Sequence, residues 1–274
     1  MEHIKLNNGT KIPIIGLGTF RSKGDDAYNA TLAALKAGYT HIDTASIYGN
    51  EEQIGRAIKD SGLNREDLFI TTKLWNTDQG YESTLTAFKD SLKRLDLEYV
   101  DLYLIHWFKS YEKSLNTYKA LEKLYEDGLI KAIGVSNYNV HHIMHLLEHA
   151  TVVPTVNQVE THVALQNHFL QEFCEQNGIV LEAYAPFMST KIAEMLQNEV
   201  LNKLAKKHNK TVPQIVLRWF VQRGVVAIPK SITPSRIMSN FDVFDFILEE
   251  TDMEEILKLN KGTKFFPEMD NISF

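Results

Sequence analysis

The chain has 274 residues and a formal charge of −6, with 44% hydrophobic and 23% charged residues. That balance excludes a disordered or fibrous chain, and the acidity argues against a nucleic-acid or anionic-membrane surface, both of which need a basic face. One cysteine, Cys174, forms no internal disulfide, the start is polar, and no run nears the roughly 18 apolar residues of a membrane span; the expectation is a soluble cytoplasmic protein.

The predicted elements run as follows. Lys5-Leu6 and Lys11-Ile12 flank Asn7-Asn8-Gly9-Thr10, and an Asn-Gly step between short extended pieces predicts a hairpin. A strand over Ile14–Gly18 and a helix over Asp26–Ala37 come next, then a strand over Thr40–Asp43 and a helix over Glu51–Ser61. Strands at Leu68–Lys73 and Val100–His106 precede a helix at Ser114–Asp127. Gly38, Gly62 and Gly128 stand just past the three helical runs, where a residue able to turn left-handed stops a helix. A strand at Lys131–Ser136, a helix after Asn137, a strand at Thr155–Glu160 and a helix at Phe169–Asn177 continue the alternation. A strand at Ile179–Tyr184 is followed by helices at Val200–His208 and Val212–Arg223, then by the last strand at Val225–Pro229. The tail, Lys261–Phe274, has no periodicity and is expected to run over the surface.

All eight strand candidates after the hairpin are short and apolar, as parallel strands buried on both faces are. They recur at intervals of roughly 25–30 residues, the length of a βα unit. No Pro/Gly/Ser-rich linker interrupts them. The expectation is one α/β domain over residues 1–274: a (β/α)8 TIM barrel rather than an open doubly wound sheet. The hairpin would plug the barrel bottom, and the long last interval holds an extra helix before the last strand.

Barrels of this kind place reactive groups at the C-terminal ends of their strands. Here strand after strand ends in a polar residue: Asp43, Lys73, His106, Ser136-Asn137, Gln158, Tyr184 and Lys230-Ser231. Tyr48 follows Asp43 in a short loop. No second rim carboxylate stands as an obvious partner for Asp43, which weakens a glycosidase reading. A lysine beside a tyrosine hydroxyl favours the phenolate and is expected to lower the Tyr48 pKa, with Asp43 holding the ammonium. His106 can donate a hydrogen bond where charge develops on a carbonyl oxygen. The set suits protonation of a carbonyl while another group delivers hydride.

The sequence resembles the aldo-keto reductases, and most closely their bacterial single-domain branch of 2,5-diketogluconate and glyoxal reductases. The matching segments are Gly16-Leu17-Gly18-Thr19-Phe20, His41-Ile42-Asp43-Thr44-Ala45, Tyr48-Gly49-Asn50-Glu51 and Thr71-Thr72-Lys73-Leu74-Trp75. They continue with Asp101-Leu102-Tyr103-Leu104-Ile105-His106-Trp107, Gly134-Val135-Ser136-Asn137-Tyr138, Asn157-Gln158-Val159-Glu160 and Ile228-Pro229-Lys230-Ser231. The resemblance implies NADPH/NADP+ as cofactor and a small-molecule carbonyl as substrate. It makes Tyr48 the general acid, Lys73 and Asp43 its tuning pair, and His106 the residue that orients the carbonyl. It implies that Ser136, Asn137 and Gln158 hold the nicotinamide carboxamide and that Tyr184 stacks on its ring. Lys230, Ser231 and Arg236 would take the adenosine 2′-phosphate, Asn240 the adenine. Phe20, Ile47, Trp75 and Trp107 match pocket walls. No metal and no nucleic-acid or membrane partner is implied, and a monomer is expected.

Three positions depart from the family pattern. Phe20 stands where Trp is usual, which predicts a wider pocket. Phe108 replaces the Pro after the His-Trp pair. Ala185-Pro186-Phe187-Met188 replaces the Ser-Pro-Leu-Gly run that passes over the cofactor pyrophosphate.

Other readings of these motifs are weaker. Gly16-Leu17-Gly18 lacks the third glycine and the following helix of a dinucleotide fingerprint. His141, His145 and His149 share a helical face beside His142, a pattern that can bind a metal, but a solvated face is the better reading. Cys174 reads as an inert packing residue. A metal-dependent hydrolase would need more rim ligands than Asp43 and His106, and a non-catalytic cofactor sensor would not need the acid.

Overall fold

The structure is a computed structural model and describes residues 2–270 and Ile272. Strands β1 (His3–Lys5) and β2 (Lys11–Pro13) pair antiparallel as the hairpin the Asn-Gly step predicts. Eight further strands alternate with helices. They are β3 (Leu17–Gly18), α1 (Gly24–Lys36), β4 (His41–Asp43), α2 (Glu51–Ser61), β5 (Phe69–Leu74), α3 (Tyr81–Leu95) and β6 (Val100–Ile105). Then come α4 (Tyr111–Glu126), β7 (Ile130–Ser136), α5 (Val140–Leu147), β8 (Val156–Glu160), α6 (His168–Gln176) and β9 (Val180–Tyr184). The chain continues through α7 (Ile192–Leu196), α8 (Glu199–His208), α9 (Val212–Gln222), β10 (Val226–Ala227), α10 (Pro234–Phe241) and α11 (Glu250–Leu257).

β3 to β10 form one eight-stranded sheet in sequence order, with every pairing between neighbours parallel. The sheet curls, and its two edge strands approach through parallel bridges between Ile15 and Ala227 and between Gly18 and Lys230. β6 shows why these strands read as largely apolar runs. Its Leu102 and Leu104 belong to an interior layer with Leu6, Ile12 and Val226, whereas Tyr103 and Ile105 pack into the larger core that also holds helical side chains. Both faces are buried, so apolar residues dominate and a polar one needs partners, as Asp101 has in Arg65 and the Ile70 amide. The hairpin sits at the N-terminal ends of the strands: Asn7 donates to the Pro154 carbonyl and Asn8 to the Lys131 carbonyl.

The helices differ from the sequence expectation mainly in number. α3 is an additional helix whose buried Thr84, Phe88, Ser91 and Leu95 follow helical spacing. The stretch before β10 holds α7 as well as the two expected helices. α9 begins with a capping box, Thr211 and Gln214 bonding reciprocally. β3 and β10 are shorter than the apolar runs around them because only part of each run pairs.

The tail does not simply cross the surface. Phe265 and Phe266 donate their backbone N–H groups to Glu160 Oε1 and Oε2 at 2.8 and 3.1 Å, and Met269 is buried. A buried carboxylate needs donors, and two backbone amides from the tail supply them. Asn271, Ser273 and Phe274 of the expected tail lie outside the described residues.

Candidate active site

The polar strand ends converge on one end of the sheet. Lys73 is fully buried at the end of β5 and donates to Asp43 Oδ1 at 2.6 Å and to the Thr44 carbonyl at 2.9 Å. Breaking such a buried pair by removing one partner strands the other charge. Tyr48 ends a short 3-10 turn over Ser46–Tyr48, which Gly49 closes in the left-handed region at φ 65°. The Lys73 ammonium lies 5.2 Å from the Tyr48 ring centroid. Asn50, which the sequence reading did not single out, joins two rim loops: it accepts from the Thr44 hydroxyl and donates to the Thr19 and Ser22 carbonyls. Its neighbour Glu51 is buried between Thr72 and Arg94 at 2.7 Å each, which fixes the start of α2 behind the tyrosine turn.

The expected lowering of the Tyr48 pKa is not found. Burial, helped by the negative charge of Asp43, pushes the phenol well above its ordinary value. Burial dominates because the ammonium's pull is weak here: the close Asp43 carboxylate cancels much of its field at the ring. Tyr48 therefore holds its proton across the physiological range. His106 is buried and its pKa lies well below the ordinary imidazole value, because of burial and then the Lys73 charge. It is neutral and keeps one N–H. Its Nδ1 has no hydrogen-bond partner among the described residues.

Aromatic rings line the outer side of this group. Phe20 lies 5.1 Å from Tyr48, Tyr48 5.7 Å from His106, and His106 5.2 Å from Trp75, centroid to centroid. Phe20 is 41% exposed and Ile47 48%, an unusual display of apolar surface beside buried charges. Trp107 is only 6% exposed, and its carbonyl accepts from Gln79.

Ser136, Asn137, Gln158 and Tyr184 form one hydrogen-bonded set at the ends of β7, β8 and β9. Ser136 Oγ donates to the Gln158 carbonyl at 2.8 Å. Asn137 sits at φ 60° and donates to the His106 carbonyl and Ser136 Oγ at 3.0 and 3.1 Å, while its Oδ1 accepts from the Tyr184 hydroxyl at 2.8 Å. The tail reaches this set, since Phe266 meets Tyr184 edge-on at 5.2 Å and Phe265 stacks on His162 at 5.0 Å. Beyond Tyr184, the departing loop carries Ala185, Met188 and Ser189 at positive φ.

On the other side of the site, Lys230 and Arg236 are exposed, and neither has an ion-pair partner among the described residues. Ser231 Oγ accepts from the Thr233 amide at 3.1 Å, at the start of α10. Asn240, on the same helix, is buried. Two free cations beside a helix N-terminus form a surface suited to a phosphate.

One expectation needs correction. A second carboxylate does stand near Asp43: Glu182 of β9 is fully buried, and Gln158 Nε2 bridges it to Asp43 at 3.0 and 2.8 Å. It points inward from mid-strand rather than from the rim, so strand-end inspection passes over it. The histidines after Asn137 also group differently from the expected face. His142 is buried against Phe108 at 3.7 Å, and its Nδ1 accepts from the Asn139 amide. Its Nε2 therefore carries the proton toward Asp270 Oδ1 at 3.0 Å and is not a ready metal ligand. His145, Glu148 and His149 form a separate surface group. Cys174 is buried, and its thiol is pushed up to about 12 by burial.

The sequence profile of the Aldo/keto reductase family matches residues 14–261. The chain is 52% identical over 274 residues to the glyoxal reductase of Bacillus subtilis, covering 100% of this chain and 98% of that one. Among solved structures, an aldo-keto reductase enzyme from a Medee basin deep-sea metagenome library superposes with a TM-score of 0.98 at 64% identity, over 99% of this chain and 100% of that one. The Bombyx mori aldo-keto reductase in complex with NADP superposes with a TM-score of 0.92 at 35% identity, over 98% of this chain and 96% of that one.

Proposed function

The chain belongs to the aldo/keto reductase family, and we propose on that basis that it reduces small aldehydes and ketones to alcohols with NADPH, Tyr48 supplying the proton. The observation that carries this reading is the buried Asp43–Lys73 pair beneath the Tyr48 ring, with neutral His106 on the ring's other flank. Bound NADPH supplies the hydride.

The chain's own groups do the rest. His106 donates its one N–H to the substrate oxygen and orients it. As negative charge develops there, the Tyr48 hydroxyl gives up its proton. A raised phenol pKa does not forbid this, because an alkoxide is a far stronger base than a phenolate. The Lys73 ammonium stabilises the phenolate left behind, and Asp43 holds that ammonium in place. The rings of Phe20 and Trp75 flank the approach to this group and favour apolar or aromatic carbonyl substituents. Dicarbonyls of the glyoxal class are the substrates to try first, because the Bacillus subtilis relative is named for one. The exposed Phe20 and Ile47 leave the mouth open, in keeping with broad specificity.

The cofactor side of the reading rests on the residues present. Lys230, Ser231 and Arg236 would hold the 2′-phosphate, Asn240 the adenine, and Ser136, Asn137 and Gln158 the carboxamide, with Tyr184 against the ring. The unpaired Lys230 and Arg236 fit a dianion. The same reading takes residues 1–274 as one domain, a closed (β/α)8 barrel supported by the two edge bridges, acting as a cytoplasmic monomer.

The test is turnover by Tyr48→Phe. Purified protein should oxidise NADPH when given methylglyoxal or a nitrobenzaldehyde. The variant should lose about 10²-fold or more in kcat with NADPH binding intact. Full activity in the variant sinks the assigned acid, and NADPH binding without turnover over a broad carbonyl panel favours a sensor.

A further inference from the structure

Gln158 is held from two sides. Its Nε2 donates one hydrogen to Asp43 Oδ2 at 2.8 Å and the other to Glu182 Oε2 at 3.0 Å. An amide nitrogen has two hydrogens, so its donor capacity is filled. The side-chain oxygen of Gln158, Oε1, accepts no hydrogen bond among the described residues, and it is not among the sealed, unpartnered atoms of the interior. The amide therefore presents an acceptor, and only an acceptor, to the cleft. With Glu182 absent, the single hydrogen bond to Asp43 would still favour this edge but no longer fix it: the amide could swing about that bond, with its second N–H left without an acceptor.

We propose that Glu182 is a positioning residue for the cofactor: by accepting the second Gln158 hydrogen it locks the amide so that its oxygen receives the N–H of a nicotinamide carboxamide. The proposal rests on the NADPH reading above. Glu182 would act through Gln158. It is fully buried on β9, two residues before Tyr184, and its other oxygen, Oε1, makes no hydrogen bond. The His41 ring nitrogen Nε2 lies 3.6 Å from Oε1 and bonds instead to the Thr71 hydroxyl at 3.2 Å. The nearby Lys73 ammonium is committed to Asp43 and the Thr44 carbonyl. Among the described residues, the Gln158 amide is thus the one hydrogen-bond partner of the Glu182 side chain. A neutral Glu182 serves as well as an ionised one, because its carbonyl oxygen still accepts, and burial with the neighbouring Asp43 charge favours the neutral form.

The role predicts a selectivity that general damage to the fold would not give. The probes are NADP+ and its 3-acetylpyridine analogue, which replaces the carboxamide by an acetyl group and has no N–H to donate. Affinities are read by quenching of tryptophan fluorescence, without turnover. Glu182→Met should weaken NADP+ binding about fivefold or more, the value of one hydrogen bond, and leave the analogue unchanged. Glu182→Gln, which keeps an acceptor, should bind both as the wild type does. If Glu182→Met does not fold, Glu182→Thr, whose side chain is too short to reach, must give the same selective loss. Equal weakening of both dinucleotides, or of neither, overturns the proposal. Wild-type protein that binds neither dinucleotide overturns the NADPH reading itself, a separate and recognisable failure.

Discussion

Replacing Glu182 by Gln should stabilise the protein, and by an amount that grows with pH. Glu182 is fully buried, its nearest cation is already paired with Asp43, and its carboxyl is pushed up to about 8 from an ordinary 4.5, chiefly by burial and then by the Asp43 charge. Below 4.5 both the folded and the unfolded chain hold the proton, and Glu182 has no effect on the pH dependence. Between 4.5 and 8 the unfolded chain has released the proton and the folded one retains it, so stability falls as pH rises. At about 1.4 kcal/mol for each pH unit, the loss sums to roughly 4–5 kcal/mol near pH 8 and is level above it. The amide in the Glu182→Gln variant does not titrate, and Asp43, common to both proteins, largely cancels. The stability difference between variant and wild type should therefore widen by about 4 kcal/mol between pH 4.5 and 8. For a chain of this size that is roughly 8 °C in Tm. Thermal melts of the two proteins at pH 5 and pH 8, in one salt concentration, measure it. A difference that is constant with pH, or shrinks as pH rises, refutes the reasoning.

Removing the free cations should change cofactor choice more than fold. Lys230→Ala with Arg236→Ala should raise the KM for NADPH by about tenfold or more and leave that for NADH nearly unchanged; a strong preference of the wild type for NADH would overturn their role. Glu160→Ala should release the tail from its two backbone hydrogen bonds, so amide exchange at residues 265 and 266 should rise sharply while β8 stays protected. Unchanged exchange would mean that ring contacts alone hold the tail. Ala185→Gly should stabilise the chain by about 1 kcal/mol in urea unfolding, since Ala185 sits at φ 51° where a Cβ is strained. Because His106 is held neutral, the pH profile of kcat should show no limb near 6.5; such a limb, abolished in His106→Gln, would refute that placement.

Much of the architecture was legible along the chain because burial on both faces writes itself as local pattern. β6 is apolar apart from Asp101 near its start, and its last residue is followed by His106 for no reason of packing. Seven of the eight strand ends carry such an exception, and the exceptions converge because parallel strands all end on one side. Tyr48 was legible from its place in a short loop beside Asp43. α3 had a readable stripe at Thr84, Phe88, Ser91 and Leu95, and was passed over because polar residues dominate its length.

What periodicity cannot express is a bond between residues far apart in sequence. Gln158 and Asp43 are 115 positions apart, and the tail amides are 105 and 106 positions from Glu160. No local signal announces either link. Only the curl of the sheet brings β8 and β9 against β4, and only there do Glu182 and Asp43 share one amide in a low-dielectric interior. The sign of the Tyr48 shift was decided in the same way. A lysine and a tyrosine near each other argue for a lowered pKa, but the ion pair's geometry and the depth of burial reverse it. Residue order thus establishes which groups the site contains and on which side of the sheet they stand. Their charges and orientations come from folding, because electrostatic energies depend on distance and on water excluded, and neither is a property of spacing along a chain.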